Sequence, residues 1–163
     1  MSRLPSLSLR RSVKPSDRKA VRSVVQSSGF FSPAETAIAL ELLDEHVNKG
    51  ERSGYMFLFA DLLEELVGYS CFGPISGTQS SYDLYWIAVL NDFRSRGIGR
   101  TILQETEQII FRSGGRRIYV ETSGRDQYRL TRLFYSRHAY AEAARLKDFY
   151  GAGDDKVIYV KIL

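Results

Sequence analysis

The sequence predicts an α/β protein with one mixed, mostly antiparallel sheet of about seven strands and helices on both faces of that sheet. Three observations lead to this fold class. The length of 163 residues fits a single domain, which we expect to span residues 1–163. Strand-like and helix-like segments alternate along the chain without an internal repeat. A strand–helix–strand unit over 82–122 predicts a right-handed crossover between two parallel strands.

Four segments have the periodicity and the boundary residues of helices. Ser16 and Asp17 open the first helix, and Gly29 ends it. Ser32-Pro33-Ala34-Glu35 is a capping box with proline at the first helical position, and it opens the second helix. Gly114-Gly115 stops the third helix. The predicted helices cover residues 16–28, 33–48, 97–113 and 128–137.

Seven segments have the composition of strands, and loops rich in glycine, serine, proline or aspartate separate several of them. Leu62-Leu63-Glu64-Glu65 leaves the link between the second and third strands ambiguous, because it also fits a helical turn. The stretch 151–155 is predicted to connect the last two strands, which pair as an antiparallel hairpin. The predicted strands cover residues 7–11, 55–60, 66–72, 82–90, 117–122, 140–149 and 156–163.

Charge and composition argue against several classes of protein. The net charge of +4, from 23 basic and 19 acidic residues, favours an anionic ligand but does not demand nucleic acid. Cys71 has no partner for a disulfide, and His46 and His138 lack metal-ligand spacing, so we expect no metal. Neither a secretory signal nor an apolar run of membrane-spanning length is visible. We therefore expect a cytoplasmic protein that does not contact membranes.

The most informative stretch is a buried strand that runs into a basic loop and then into a helix. Gly97 and Gly99 allow close approach of the backbone to an anion, and the helix N-terminus offers unpaired N–H groups. Arg94, Arg96 and Arg100 add positive charge at the N-terminus of the helix. Positive charge at that end is unfavourable beside the helix dipole unless an anion binds there. This combination predicts a site for a pyrophosphate group.

Two common pyrophosphate motifs do not fit this loop. A dinucleotide fingerprint needs a third glycine or alanine where Ile102 stands, and the Gly-Lys-Ser/Thr of a P-loop is absent. The pattern Arg-x-x-Gly-x-Gly after a strand ending Ile-Ala-Val resembles the coenzyme A signature of the GNAT N-acetyltransferase superfamily. The residues that this resemblance implies in cofactor binding are Ile87, Ala88, Val89, Arg94, Ser95, Arg96, Gly97, Ile98, Gly99, Arg100 and Thr101.

The resemblance continues downstream and implies an activity. Tyr135 matches the tyrosine that serves as general acid in that family, and Tyr140 matches the aromatic residue of its glycine–aromatic pair. Ala139 replaces the usual glycine, and Tyr128 stands where an asparagine is common. The resemblance implies the GNAT fold, acetyl-CoA as cosubstrate, and transfer of its acetyl group to a primary amine.

The resemblance also implies a direct mechanism. Backbone groups near Ile87 and Val89 would pair with the pantetheine arm, the amine would attack the thioester, and Tyr135 would protonate the departing thiolate. A base must first deprotonate the amine. Asp83 is the first candidate, because the strand period puts it on the face of Ile87 and Val89. Glu121 is the second candidate, and action through a water is open.

The acceptor is left open between a small molecule and a peptide. An arginine run, Arg125, Arg129, Arg132 and Arg137, would suit a carboxylate or phosphate on the acceptor, and it equally fits a solvated helix face. Tyr150, Asp154 and Asp155 would suit a cationic acceptor, although turns favour such residues regardless. The alternative function is a catalytically silent module that binds acyl-CoA. Formation of a homodimer is also open.

Overall fold

The structure is a computed structural model that describes residues 6–163. Residues 1–5 lie outside the described residues. They belong to the predicted domain and to the N-terminal segment in which no secretory signal is visible. Contacts divide the chain into two compact units. The first contains Met1–Gly73 and Trp86–Thr106, and the second contains Pro74–Tyr85 and Glu107–Leu163. The single domain over 1–163 stays a prediction.

The observed order of elements is the predicted one. Strands are β1 (Leu7–Arg10), β2 (Met56–Leu62), β3 (Glu65–Pro74), β4 (Ser81–Val89), β5 (Arg117–Ser123), β6 (Ala141–Gly151) and β7 (Asp154–Ile162). Helices are α1 (Asp17–Ser27), α2 (Pro33–Lys49), α3 (Ile98–Arg112) and α4 (Arg129–Arg137).

The strands form one seven-stranded sheet in the order β1-β2-β3-β4-β5-β7-β6. The pair β4–β5 is parallel, as the crossover predicted. The pairs β1–β2, β2–β3, β5–β7 and β6–β7 are antiparallel. The predicted mixed, mostly antiparallel sheet is therefore confirmed.

In the first unit, α1 and α2 share a core with residues of β2 and β3. The capping box is formed as predicted, since Glu35 N–H donates to Ser32 Oγ (3.1 Å) and Ser32 N–H donates to a Glu35 carboxylate oxygen (2.7 Å). On α2, Ile38 is 50% exposed and Val47 is 59% exposed. The core of the first unit is made by Val21, Val24, Val25, Ala39, Leu40, Leu43, Phe57, Phe59, Tyr69 and Cys71.

The ambiguous link between β2 and β3 is a tight hairpin turn. Leu63 and Glu64 both have positive φ angles, 51° and 68°. Positive φ at both central residues matches the right-handed twist of the flanking strands. The helical alternative for this segment was therefore wrong.

In the second unit, β7 lies between β5 and β6. The β6–β7 turn contains only Ala152 and Gly153, and Gly153 has a φ of 75°. The predicted connection over 151–155 was too long, because Gly151 already pairs with Asp154 and both Asp154 and Asp155 belong to β7. Within residues 6–163, no helix combines the length and the apolar character needed to cross a bilayer.

A buried ionic cluster joins β1, the start of α1 and β2. The Arg10 guanidinium lies 2.6 Å from an Asp17 carboxylate oxygen and 2.7 Å from one of Asp61. The Lys14 ammonium is 3.0 Å from Asp61. Burial opposes ionisation of Asp61, but hydrogen bonds from Arg10 and Lys14 outweigh it and lower the pKa of this carboxyl. The charges are therefore mutually compensated.

Candidate active site

The loop between β4 and α3 takes up two left-handed backbone conformations. A 3₁₀ turn at Asn91–Phe93 follows β4, and then Ser95 and Gly97 have φ angles of 61° and 80°. A Cβ added at Gly97 would meet no atom within 4 Å. The backbone angle, and not a lack of space, is therefore what favours glycine at this position.

The start of α3 leaves backbone donors unused by the helix. The first helical hydrogen bond runs from Thr101 N–H to Gly97 O over 3.0 Å. The N–H groups of Ile98, Gly99 and Arg100 come before this bond and have no acceptor within the helix. Ile98 is only 8% exposed and anchors this turn in the core. The exposed loop before it leads directly to a helix terminus with partial positive charge.

Three arginines belong to this loop and to the first turn of α3. Arg94 lies 5.9 Å from the Phe30 ring centroid, and Arg96 lies 5.1 Å from that of Phe93. Within residues 6–163, Arg94, Arg96 and Arg100 take part in no ion pair. Uncompensated positive charge beside free N–H groups favours a bound anion. The loop thus has the donors, the charge and the backbone shape that a pyrophosphate requires.

The end of β4 is fixed beneath this loop. Trp86, Ala88 and Leu90 pack against the core of the first unit. Ile87 and Val89 therefore project to the other face of the strand. A Cβ at Gly68 would lie 2.8 Å from the side chain of Ile102 on α3 and 3.0 Å from Ala88 O. Glycine at this position allows β3 to approach both β4 and α3 closely.

The ladder between the parallel strands is short. Within residues 6–163 its register covers three pairs, from Ser81–Arg117 to Asp83–Tyr119. Strand β4 continues to Val89 after this ladder has ended. The later backbone groups on that edge of β4 therefore take no part in the β5 ladder.

In the second unit, Tyr135 occupies the buried side of α4. Its ring is 5% exposed and lies 5.6 Å from the Tyr140 ring centroid and 5.9 Å from that of Tyr159. The hydroxyl makes no hydrogen bond within residues 6–163. Burial raises the pKa of Tyr135 well above its usual value, so the hydroxyl keeps its proton at neutral pH. The Tyr135 hydroxyl is therefore a proton donor that is available to a bound ligand.

The chain after α4 holds Tyr135 in place. The N–H groups of His138 and Tyr140 both donate to Tyr135 O, over 3.0 and 3.1 Å. Ala139 has a φ of 68°, a left-handed conformation that glycine adopts more easily. The replacement of glycine by alanine therefore keeps the expected backbone shape. Tyr140 donates from its hydroxyl to the buried Glu107 carboxylate over 3.1 Å.

Asp83 and Glu121 lie on one face of the second unit's sheet. Asp83 is in register with Tyr119, and Glu121 is two residues further along β5. Burial raises the pKa of Asp83, and the negative charge of Glu121 raises it further. A hydrogen bond from Tyr85 and the positive charge of Lys156 oppose this rise. Asp83 is thus a half-buried carboxyl with a pKa above its usual range.

Tyr135 is associated with the opposite face of the same sheet. Tyr159, which its ring contacts, is in register with Val120, the residue before Glu121. Alternation along β5 puts Val120 and Glu121 on opposite faces. The second unit therefore carries the carboxyl groups on one face and the tyrosine on the other.

Glu121, the second candidate for the base, forms an ion pair that the sequence did not predict. The Lys156 ammonium lies 2.8 Å from a Glu121 carboxylate oxygen and 4.3 Å from the Phe149 ring centroid. Lys156 and Phe149 were missed, because the pairing depends on the registers of β5, β6 and β7. The opposite charges of Glu121 and Lys156 were the only signal available in the sequence.

Several of the residues predicted to contact an acceptor have other partners. Asp154 lies 3.6 Å from Arg125, and Asp155 lies 3.5 Å from Arg145. Arg132 donates to Ser123 O and to Arg125 O, each over 2.8 Å. Asp154 and Asp155 are therefore already compensated by arginines, and Arg132 ties α4 to the end of β5. Arg129 and Arg137 are exposed.

Cys71 is a small buried residue of β3. It is 1% exposed, and burial raises the pKa of its thiol far above the usual value. A protonated, inaccessible thiol is not a nucleophile. Within residues 6–163, no cluster of three or more histidine, cysteine, aspartate or glutamate side chains has the arrangement of a metal site.

Comparisons with known proteins agree with this fold. The sequence model of the acetyltransferase (GNAT) family matches residues 23–140. A crystal structure from Desulfovibrio desulfuricans, assigned to the GNAT family of acetyltransferases, is 45% identical, with a TM-score of 0.94 over 96% of this chain and 99% of that one. The chain therefore belongs to the GNAT acetyltransferase family. No curated protein matches it in sequence.

More distant structures share the fold. The ribosomal-protein-S18-alanine N-acetyltransferase from Escherichia coli is 17% identical, with a TM-score of 0.75 over 96% of this chain and 94% of that one. The PaiA N-acetyltransferase from Thermoplasma acidophilum, in complex with coenzyme A, is 19% identical, with a TM-score of 0.75 over 97% and 99% of the two chains. These similarities extend over whole chains.

Proposed function

We propose that this protein is an acetyl-CoA-dependent N-acetyltransferase that moves an acetyl group to a primary amine of a small molecule or a peptide. The observation that carries the proposal is the loop before α3. Arg94, Arg96 and Arg100 lack carboxylate partners within residues 6–163, and the N–H groups at the start of α3 precede its first helical bond. Membership of the family and the coenzyme A bound to the Thermoplasma relative support the same cosubstrate.

Coenzyme A is bound through its pyrophosphate and its pantetheine arm. The loop and the first turn of α3, residues 94–101, hold the pyrophosphate through N–H groups and arginines. The backbone of Ile87, Ala88 and Val89 pairs with the pantetheine amides as an added strand would. This strand edge is available because the β4–β5 ladder ends at Asp83. The reaction needs no metal.

The chemical step is direct attack by the amine on the thioester carbon. Asp83 takes the proton from the substrate ammonium, the new C–N bond forms, and the C–S bond breaks. Tyr135 protonates the departing thiolate. Burial and the negative charge of Glu121 raise the pKa of Asp83, which makes this carboxylate a stronger base than an exposed aspartate. Asp83 and Tyr135 are different residues, so each of the two proton transfers has its own group.

Substitution of Gly97 by alanine is expected to raise the Kd for coenzyme A about tenfold, since a side chain at φ 80° disfavours the loop shape that holds the pyrophosphate. Calorimetric titration with coenzyme A measures this change. Gly77→Ala is a matched control, because Gly77 has a φ of 79° and also has no atom within 4 Å of an added Cβ. Equal loss of affinity in both variants would mean that the effect is general strain.

The test of the proposed function is release of coenzyme A from acetyl-CoA in the presence of a panel of amines. The panel contains alkyl monoamines, amino acids and peptides with a free α-amine or lysine. Release that depends on an amine, with the acetylated product identified by mass spectrometry, is the expected result. If acetyl-CoA raises the Tm but no amine accelerates release, the silent acyl-CoA-binding module replaces this proposal.

A further inference from the structure

The chain places an ammonium group of its own near the proposed base. Lys156 belongs to β7 and is in register with Ser123, so it shares a sheet face with Glu121 and with Asp83. Its ammonium contacts the Glu121 carboxylate at 2.8 Å and lies 4.3 Å from the Phe149 ring centroid. The side chain of Lys156 is only 15% exposed.

A carboxylate beside an aromatic face is a general way of binding an alkylammonium ion. We call the Glu121 carboxylate and the Phe149 ring the ammonium cage. Phe149 is 53% exposed, and the Glu121 side chain is 49% exposed, so the cage opens towards solvent. Without Lys156, the cage would present an uncompensated carboxylate and an aromatic ring to a ligand, while Tyr150 packs against that ring at a centroid distance of 5.0 Å.

Glu121 of the ammonium cage lies on the same sheet face as Asp83, two residues along β5 from Tyr119, which is the register partner of Asp83. The charges of both Glu121 and Lys156 act on the Asp83 carboxyl, with opposite signs. An acceptor whose amine is bound at Asp83 and that extends along this face of the sheet would reach the cage. A second amine on that acceptor would meet an ammonium group where it could otherwise have met a carboxylate.

We propose that Lys156 is a specificity-determining residue, which occupies the ammonium cage and so restricts the acceptor to monoamines. Diamines and polycations are disfavoured, because their second ammonium is repelled by Lys156 and is denied the Glu121 carboxylate. This inference rests on the proposed function, since it requires an acceptor amine at Asp83. It adds the chemical class of the acceptor and the residue that selects it.

Lys156→Met tests the inference, since it keeps the length of the side chain and removes its charge. The assay compares kcat/KM for α,ω-diamines of three to six carbons with kcat/KM for the n-alkylamine of equal length. The ratio of kcat/KM for the diamine to kcat/KM for the monoamine is expected to rise about 10- to 100-fold for at least one chain length. This is the gain expected from one charge-assisted hydrogen bond between the second ammonium and Glu121. Direct calorimetric titration with the same diamines is expected to give binding to the variant and none to the wild-type protein.

Three further variants test whether the charges of Lys156 and Glu121 cause the change in the diamine-to-monoamine ratio. Lys147→Met is the matched control, since Lys147 is an exposed lysine on β6 and its removal changes the net charge equally. It should leave the ratio within about twofold of wild type. Lys156→Arg should keep the wild-type ratio. Lys156→Met combined with Glu121→Gln should lose the gain, because the cage then has no charge.

The outcomes separate this inference from the proposed function. An unchanged ratio in Lys156→Met, with turnover of monoamines intact, overturns the inference and leaves the N-acetyltransferase in place. An equal rise in Lys147→Met overturns it as well. If no amine is turned over by any form of the protein, the proposed function fails, and calorimetric binding of diamines to Lys156→Met alone still decides whether Lys156 occupies a cation site.

Discussion

Replacement of Tyr135 by phenylalanine is expected to lower kcat for acetyl transfer by about 10²-fold or more, with little change in the KM for acetyl-CoA. The substitution removes only a hydroxyl that makes no hydrogen bond within residues 6–163, and it keeps the ring that packs against Tyr140 and Tyr159. The thiolate would then leave without its proton donor. Release of coenzyme A at saturating acceptor measures the effect.

Tyr159→Phe is the matched control for this experiment. Tyr159 is 6% exposed and its ring lies 5.9 Å from that of Tyr135, so the variant deletes a neighbouring hydroxyl from the same aromatic cluster. Its kcat is expected to stay within a few-fold of wild type. A comparable loss in both variants would indicate disturbed packing. Full activity of Tyr135→Phe would assign thiolate protonation to another group.

Features that depend on neighbouring residues could be predicted from the sequence. The capping box at Ser32–Glu35 and the loop at 94–101 each lie within a few consecutive positions, and backbone geometry fixes their shape locally. The parallel pairing of β4 and β5 also followed, because the handedness of a crossover is nearly invariant. For these elements the local signal and the tertiary structure agree.

Features that depend on strand register could not be predicted. The ammonium cage joins Glu121 of β5 to Lys156 of β7 and Phe149 of β6, and a shift of one residue would turn each side chain to the other face. The length of the β6–β7 turn sets that register, and the sequence suggested a longer connection. The sequence also did not show which apolar residues of α2 are buried, because Ile38 is as apolar as Leu40 but is exposed. Tertiary packing decides which stripe of a helix is buried.

Long-range contacts also matter for the stability of the protein, and the ionic cluster around Arg10 is an example. The ionic cluster of Arg10, Lys14, Asp17 and Asp61 connects residues up to 51 positions apart. Asp17 is 1% exposed and Asp61 is 4% exposed. Ionised carboxylates at such positions are tolerated only while their partners remain. Removal of Arg10 should therefore cost far more than removal of an arginine from a solvent-exposed pair.

Arg10→Met is expected to lower the free energy of unfolding by about 3 kcal/mol, because Asp17 loses its guanidinium partner while the side chain can still pack on Phe59. Denaturant unfolding at pH 7 measures the change. Arg18→Met is the control, since the Arg18 and Asp44 side chains are 51% and 44% exposed. Its effect should stay below about 1 kcal/mol. Equal effects in the two variants would mean that burial does not strengthen the cluster.

The dependence on pH provides a further check of the same cluster. The folded-state pKa of Asp61 is lowered by Arg10 and Lys14. The stability that this pairing contributes is therefore fully present above the unfolded pKa of about 4, and it is lost as pH falls through the lower folded value. The difference between wild type and Arg10→Met should shrink as the pH is lowered below about 4. A constant difference down to pH 2 would show that Arg10 acts through packing and not through its charge.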